Sequence, residues 1–263
     1  MKIFDTHTHY DDEKFGDFGS SDRAALLHRL INEENVLGAV GVGVDIPSSQ
    51  RQIALAEKVT PFYAACGFHP GNIPKVGDVD EELEKLSGLL EHPKAVAIGE
   101  IGLDYYWEQN PARPVQMLWF EKQMELSVKK DLPVIVHDRE AHGDCFDAIC
   151  RHKGVRGVFH SYSGSWEMAR ELIKRDFMLS FTGVVTFKNA QRVAEVVSKV
   201  PMEYIMLETD CPYMAPVPMR GKVNHSGYLC YIAQKIAEIK NMETDEVVQA
   251  ANSNASKFFN IKL

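Results

Sequence analysis

The sequence contains six side chains of metal-binding type at or close to the ends of apolar segments of strand length. They are His7, His9, Glu100, His137, His160 and Asp210. Because residues two apart in a strand point the same way, the imidazoles of His7 and His9 share one face. Four imidazoles and two carboxylates gathered without a cation would leave many costly buried polar groups. This set of residues therefore predicts a metal centre.

The number of ligands indicates two divalent ions, since one ion seldom takes six protein ligands and still leaves a position for water. The expected division is one ion on His7, His9 and Asp210, a second on His137 and His160, and Glu100 between the two. Two divalent cations and two carboxylates leave the site with a charge of about +2, which would attract anionic phosphate. Imidazole ligands favour zinc, manganese or iron, because magnesium prefers oxygen ligands.

The elements that must position these side chains follow a regular alternation. Eight apolar runs begin at residues 2, 36, 62, 95, 133, 156, 177 and 204. Their mean spacing of about 29 residues fits one strand plus one helix per unit, which predicts a closed (β/α)8 TIM barrel in a single domain over residues 1–263. A doubly wound open sheet is the alternative, but it usually carries a glycine-rich loop after the first strand, where this chain has histidines. Barrel enzymes have their active sites at the carboxyl ends of the strands, where the six residues fall.

Composition and charge narrow the function classes. The chain has 263 residues, of which 45% are hydrophobic and 25% charged, as in ordinary globular proteins. A net charge of −8 argues against a protein that binds long nucleic-acid duplexes through a basic surface, although metal ions can supply local positive charge. Five cysteines without a C-x-x-C pair predict reduced thiols and a cytoplasmic location. No run of 18 apolar residues occurs, so we expect no membrane span, and no obligate protein partner is evident.

Several motifs resemble those of the TatD family of metal-dependent deoxyribonucleases, within the amidohydrolase-like barrel superfamily. The matching segments are FDTHTH, GFHPGN, AIGEIGLDYY, PVIVHDREA, FHSYSGS and LETDCPYMAPVPMRGK, which are spread over nearly the whole chain. The resemblance implies the barrel, two metal ions on the same six ligands, and hydrolysis of DNA. It also implies magnesium dependence, which conflicts with the imidazole-rich ligand set. The loop RGKVNHSGY departs from the family pattern at Val223, His225, Ser226 and Gly227, and Met219 replaces a usual histidine, which leaves the substrate preference open.

The expected mechanism is attack on phosphorus by a hydroxide that two metal ions activate, with Asp210 as both ligand and general base. His69, Arg139 and Arg220 are the candidates for binding substrate, because they follow the third and fifth strands or lie in the loop after Asp210. A guanidinium two residues after His137 suits bidentate phosphate binding.

Other residues near the predicted site are expected to support it. Glu208 should accept a hydrogen bond from a ligating imidazole, and Asp5 should stand in the same relation to His7. Tyr105, Tyr106 and Trp107 follow Glu100 at the rim, where they either stack on bases or pack against the protein.

Three functions are compatible with these residues to different degrees. The favoured one is a metal-dependent deoxyribonuclease that trims single-stranded DNA or 3′ ends from a terminus. The alternative is a hydrolase of an amide, ester or aminoacyl bond that uses the same metal centre, since a fold does not fix a substrate. A non-catalytic binding protein is disfavoured, because all six ligands are present.

Overall fold

The computed structural model describes residues 1–18, 22–74 and 78–263. These residues form one sheet of eight parallel strands that pair in sequence order. The strands are β1 (Ile3–Thr8), β2 (Val36–Val42), β3 (Phe62–Cys66), β4 (Ala95–Asp104), β5 (Val134–Arg139), β6 (Gly157–Phe159), β7 (Met178–Phe181) and β8 (Ile205–Leu207). Each predicted apolar run contains a strand, and the predicted barrel is confirmed.

The first and last strands meet at a seam that nearly closes the barrel. A single bridge pairs Thr8 with Cys211, just beyond the end of β8. The backbone N–H of His9 donates to the Cys211 carbonyl at 2.9 Å, and that of Asp210 donates to the His7 carbonyl at 3.0 Å. Backbone bonds at the seam thus bring the first and last strands of the sheet together at three predicted metal ligands.

Helices follow the strands and cover the outside of the barrel. Within the described ranges they are α1 (Arg23–Glu33), α2 (Ile46–Lys58), α3 (Val79–Leu89), α4 (Arg113–Lys130), α5 (His142–Arg151), α6 (Trp166–Ile173), α7 (Gln191–Lys199), α8 (Leu229–Lys240) and α9 (Thr244–Phe259). The sequence pattern predicts Thr244 as the N-cap of the last helix, whereas the N-cap is Glu243. The backbone N–H of Glu243 donates to the Glu246 carboxylate at 3.2 Å. Glu243 and Glu246 therefore form the capping box, and Thr244 is the first residue of the helix. In the described part of the chain, no helix has the length and hydropathy needed to cross a bilayer.

The apolar interior lies toward the amino-terminal ends of the strands. Phe4, Met178 and Met206 belong to a buried cluster that continues onto α9 through Ala255 and Phe259. Because apolar side chains fill this end of the barrel, the polar side chains are concentrated at the opposite end, where the strands finish.

Gln123 on α4 is buried and fixes the chain just after β3. Its Oε1 accepts the backbone N–H of Phe68 at 2.8 Å, and its Nε2 donates to the Phe68 carbonyl at 3.1 Å. The side chain thus pairs both backbone polar groups of Phe68, as a neighbouring strand would in a sheet. The next residue is His69, so this pair of bonds also orients a predicted substrate-binding residue.

Replacing Gln123 with methionine should lower the free energy of unfolding by about 2–4 kcal/mol, because both polar groups of Phe68 would remain buried without a partner. Urea denaturation measures this change. The matched control is Gln249→Met on the exposed face of α9, which should change the stability little. Equal stability changes in the two variants would show that the Gln123 hydrogen bonds contribute nothing specific.

Candidate metal centre

The barrel brings all six predicted ligands together at the carboxyl ends of the strands. His7 lies in β1 and His9 directly after it, Glu100 lies in β4, His137 in β5, His160 directly after β6, and Asp210 shortly after β8. Their ligand-type atoms form overlapping groups in which all atoms lie within 4.8 Å of one another. Residues far apart in the sequence therefore share one small polar volume.

The three residues expected to bind the first ion are His7, His9 and Asp210. The Nε2 atoms of His7 and His9 are 3.0 Å apart. Asp210 Oδ1 lies 3.4 Å from His9 Nε2 and 3.7 Å from His7 Nε2. An ion about 2.0–2.1 Å from each tetrahedral ligand would hold ligand atoms about 3.3 Å apart, so these spacings fit a metal ion.

The second group consists of Glu100, His137 and His160. Glu100 Oε1 lies 2.6 Å from His137 Nδ1 and 2.8 Å from His160 Nε2. The other carboxylate oxygen, Oε2, lies 3.5 Å from His7 Nε2 and 3.7 Å from His9 Nε2. The two oxygens of Glu100 thus face the two groups, which is the geometry that a bridging carboxylate requires.

Hydrogen bonds behind the imidazoles indicate which nitrogen each offers. His9 Nδ1 lies 2.9 Å from the Val42 carbonyl, which can only accept, so Nδ1 carries the proton and Nε2 offers a lone pair to the group. His7 Nδ1 and His160 Nδ1 are buried without a hydrogen-bond partner. The Glu208 carboxylate lies 3.9 Å from the first and 3.5 Å from the second.

Glu208 therefore sits behind two imidazoles, at distances longer than the expected hydrogen bond. Its carboxylate also accepts the backbone N–H of Ser161 and the hydroxyl of Ser180, which fix it in place. Such a carboxylate is suited to receive the Nδ1 protons of both imidazoles once their Nε2 atoms bind metal.

Asp5 acts differently from the expectation. Its Oδ1 accepts the backbone N–H of His7 at 3.3 Å, and its Oδ2 accepts the hydroxyls of Thr209 at 2.6 Å and Ser226 at 2.7 Å. Burial raises the pKa of Asp5 to about 7, although these hydrogen bonds oppose that rise. Asp5 thus fixes the backbone around the barrel seam and does not touch the His7 imidazole.

The electrostatics of the site pair ionised carboxylates with imidazoles. Burial disfavours a charge on His160, yet Glu100 and Glu208 raise the pKa of its imidazole well above the usual value. Burial likewise disfavours ionised Glu100, yet His160 and His137 hold the pKa of its carboxyl well below its usual value. A divalent metal ion bound at these atoms would replace the imidazole protons as the positive charge beside the carboxylates.

Asp104 is a residue of the site that the sequence analysis missed. It is buried at the end of β4, and its Oδ2 lies 3.2 Å from His137 Nε2. Because His137 Nδ1 faces Glu100, Nε2 is left to donate its proton to Asp104. The spacing in the sequence indicates this position, because Asp104 follows Glu100 by four residues in the same strand and therefore shares its face.

The Asp104→Asn variant should bind the metal at Glu100, His137 and His160 about 10–100-fold more weakly, because the His137 ring loses its charged acceptor. Titration against a chromophoric chelator measures this affinity without relying on activity. Asp80→Asn on exposed α3 is the control, and it should bind metal normally. Unchanged affinity in Asp104→Asn would mean that packing alone orients His137.

His69 lies beside this group but offers a donor and no lone pair. Its Nδ1 accepts the backbone N–H of Gly71 at 3.0 Å, so in the neutral ring the proton is on Nε2. Burial and the neighbouring His137 lower the pKa of His69 to about 3. A neutral imidazole with a fixed Nε2–H can donate a hydrogen bond to an anion, whereas metal binding through Nε2 would need that proton removed.

Two clefts open from the metal-ligand groups. The first, of about 530 Å³, is lined by the carboxylates of Asp11, Asp12 and Glu13 beside His9. The second, of about 700 Å³, runs over the ends of β4 to β8 and is lined on its polar side by Asp104, Asp138 and Arg139. Both clefts include His69, His137, His160 and Asp210 in their walls.

The two predicted substrate-binding arginines occupy different positions. The Arg139 guanidinium lies 4.1 Å from the centre of the Tyr106 ring and lines the second cleft. The Arg220 guanidinium lies 4.0 Å from the centre of the Phe187 ring and lines neither cleft. Tyr105 is engaged by the protein, because its hydroxyl donates to Asp144 at 2.8 Å.

The comparisons with known proteins agree on one family. The model of the family described as TatD related DNase matches residues 4–260. The chain is 38% identical to a Bacillus subtilis protein described as the uncharacterized metal-dependent hydrolase YabD, over 98% of this chain and 99% of that one. It is 33% identical to the uncharacterized metal-dependent hydrolase YjjV of Escherichia coli, over 99% of this chain and 98% of that one.

Solved structures agree with these relatives. The crystal structure of the TatD homologue YJJV from E. coli superposes with a TM-score of 0.88 at 31% identity, covering 99% of this chain and 98% of that one. A Saccharomyces cerevisiae structure described as an uncharacterized amidohydrolase has the same fold, with a TM-score of 0.83 at 19% identity over 98% of this chain and 99% of that one.

Proposed function

Because the chain belongs to the TatD related DNase family, a family of metal-dependent hydrolases, we propose that it cleaves phosphodiester bonds of DNA. We propose further that it removes nucleotides from the end of a single strand. The observation that carries the proposal is Glu100, whose two oxygens face two separate groups of imidazoles. A centre for two ions suits phosphodiester hydrolysis, in which both the attacking and the leaving oxygen need stabilisation.

The proposed ligands are His7, His9, Asp210, His137 and His160, with Glu100 shared between two ions. Divalent ions bound there would polarise the phosphoryl oxygens and make water a competent nucleophile near neutral pH. Four imidazoles favour zinc, manganese or iron, whereas the family resemblance favours magnesium. We therefore propose two divalent ions and leave the choice between these metals to experiment.

Asp210 is the proposed general base. Burial would raise the pKa of its carboxyl, but His9 and His7 hold that pKa below its usual value, so the carboxylate is ionised at neutral pH. It also lines both clefts, so it faces the space where a substrate phosphate and an attacking water would meet. A carboxylate in that position can take a proton from the water as the new bond to phosphorus forms.

Two further residues are proposed to hold the phosphodiester. The fixed Nε2–H of His69 would donate to a phosphoryl oxygen, and the planar Arg139 guanidinium would bind a phosphate through two N–H groups. Arg220 lies farther out on Phe187, where it would contact a longer strand. Such contacts position the substrate and also explain how a chain of net charge −8 could bind DNA.

The test is digestion of end-labelled single-stranded DNA by metal-stripped protein with magnesium, manganese or zinc added back. We expect a ladder that shortens from one end, depends on the metal, and is absent in the His7→Ala variant. A circular single strand should stay intact if cleavage starts at ends. If folded protein with bound metal cleaves no DNA, the proposal is wrong. Hydrolysis of a panel of esters and amides by the same preparation would then identify the other reaction class.

A further inference from the structure

The second cleft has an apolar wall that the proposed mechanism does not use. It is lined by Trp107, Tyr162, Phe181, Val184, Val193 and Met214. Its volume of about 700 Å³ lies within the range of small-molecule sites. Trp107 is 47% exposed, so its ring is accessible to a ligand in the cleft.

The polar atoms of this wall are already engaged within the protein. The Tyr162 hydroxyl donates to the Ser165 carbonyl at 2.7 Å. The hydroxyls of Ser161 and Thr182 lie 3.2 Å apart, and each is 3.8 Å from the Met214 sulfur. A ligand lying against this wall would therefore meet an apolar surface, which suits a flat ring and not a sugar. The polar groups of the cleft, among them Asp104 and Asp138, lie outside this wall.

The cleft is held in shape by strained backbone. Ser161 and Met214 have positive φ angles of 44° and 51°, although neither is glycine. Gly183 permits the close approach of the Met214 loop, since a Cβ there would lie 2.2 Å from the Met214 carbonyl oxygen. Strained residues persist where the surroundings hold them and are concentrated at binding sites.

A cation completes the cleft on the side of β5. The Arg139 guanidinium lies 4.1 Å from the Tyr106 ring centre and 5.4 Å from the Trp107 ring centre. Arg139 is exposed and lines this cleft, where its guanidinium can bind an anion. The other cleft carries Arg51 as well, but that guanidinium is paired with Asp11 at 2.9 Å.

From these contacts we propose that the second cleft binds the nucleobase next to the scissile phosphate. The base packs on Trp107 and against the wall formed by Val184 and Met214, while Arg139 binds the phosphate on that side. This inference rests on the proposed DNA hydrolysis and adds which side of the metal centre receives the base. It also assigns Trp107 the role of a stacking residue.

The first test combines an altered substrate with an altered protein. A single-stranded oligonucleotide with a tetrahydrofuran abasic residue beside the scissile phosphate should show a kcat/KM at least about tenfold lower than the intact strand. Trp107→Ala should cause a similar loss on the intact strand and little further loss on the abasic one. Trp107→Phe should restore much of the activity, and Leu118→Ala on the outer face of α4 should behave as wild type. If the losses from the abasic residue and from Trp107→Ala multiply independently, the proposal is wrong.

A binding test separates this proposal from the hydrolysis itself. In the metal-loaded Asp210→Asn variant, deoxyadenosine monophosphate should quench tryptophan fluorescence, whereas deoxyribose 5-phosphate should not. The quenching should disappear when Trp107→Phe is added. Quenching in a protein that cleaves no DNA would support the base site and refute the nuclease. Cleavage of DNA without base-dependent quenching would refute the base site and leave the nuclease standing.

Discussion

The Glu100→Gln variant should lose nearly all hydrolytic activity, with kcat reduced by about 10³-fold or more. Glutamine keeps the size of the side chain but offers one neutral oxygen where glutamate offers two charged ones. Since Oε1 faces His137 and His160 while Oε2 faces His7 and His9, both groups lose a ligand atom or its charge. We expect the metal content to fall together with the activity.

Metal analysis by mass spectrometry and steady-state kinetics on the same preparation test this expectation. Glu84→Gln on exposed α3 is the matched control and should retain both metal and activity. Circular dichroism establishes that the variant is folded. A Glu100→Gln protein that holds a full set of metal ions and turns over normally would exclude a bridging role for Glu100.

The Asp210→Asn variant should lose about 10²–10⁴-fold in kcat, the range expected for removal of a general base. Asparagine keeps an oxygen that can bind metal, so the metal content should fall less than in Glu100→Gln. Its KM should change little, because Asp210 is proposed to act on the attacking water and not on the bound strand. The ratio of kcat to metal content is the decisive measurement.

Asp176→Asn supplies a control matched in backbone conformation. Asp176 has a φ of 58° and Asp210 a φ of 53°, and asparagine tolerates this region as well as aspartate does. Asp176 is exposed and lies outside both clefts, so its variant should be fully active. Normal turnover by metal-loaded Asp210→Asn would contradict the base assignment, whereas loss of metal in step with activity would make Asp210 mainly a ligand.

The sequence allowed the barrel to be predicted because its signal is local and repeated. Each strand is a short apolar run, and buried parallel strands require apolar residues on both faces. The position of a histidine or carboxylate at the end of such a run then determines where it lies in the barrel. This logic places His7 and His160 in one site even though they lie 153 positions apart.

The sequence did not predict how side chains from different strands contact one another. Glu208 lies behind two imidazoles only because Ser161 N–H and Ser180 fix its carboxylate. The positive φ of Ser161 that turns its N–H toward Glu208 has no glycine to signal it. Asp104 differs from Glu208, because its role depends on the orientation of the His137 ring, whose Nε2 lies 3.2 Å from Asp104 Oδ2.

The barrel seam has a consequence for how long the protein survives. His7, His9 and Asp210 lie on the two sides of the seam between the first and last strands, where a single bridge pairs the strands, so metal bound by all three would hold the seam together. Ions that bind the native state and not the unfolded chain stabilise it by mass action. Metal supply would then govern the abundance of the protein as well as its activity, because metal-free molecules would open at this junction and be degraded sooner.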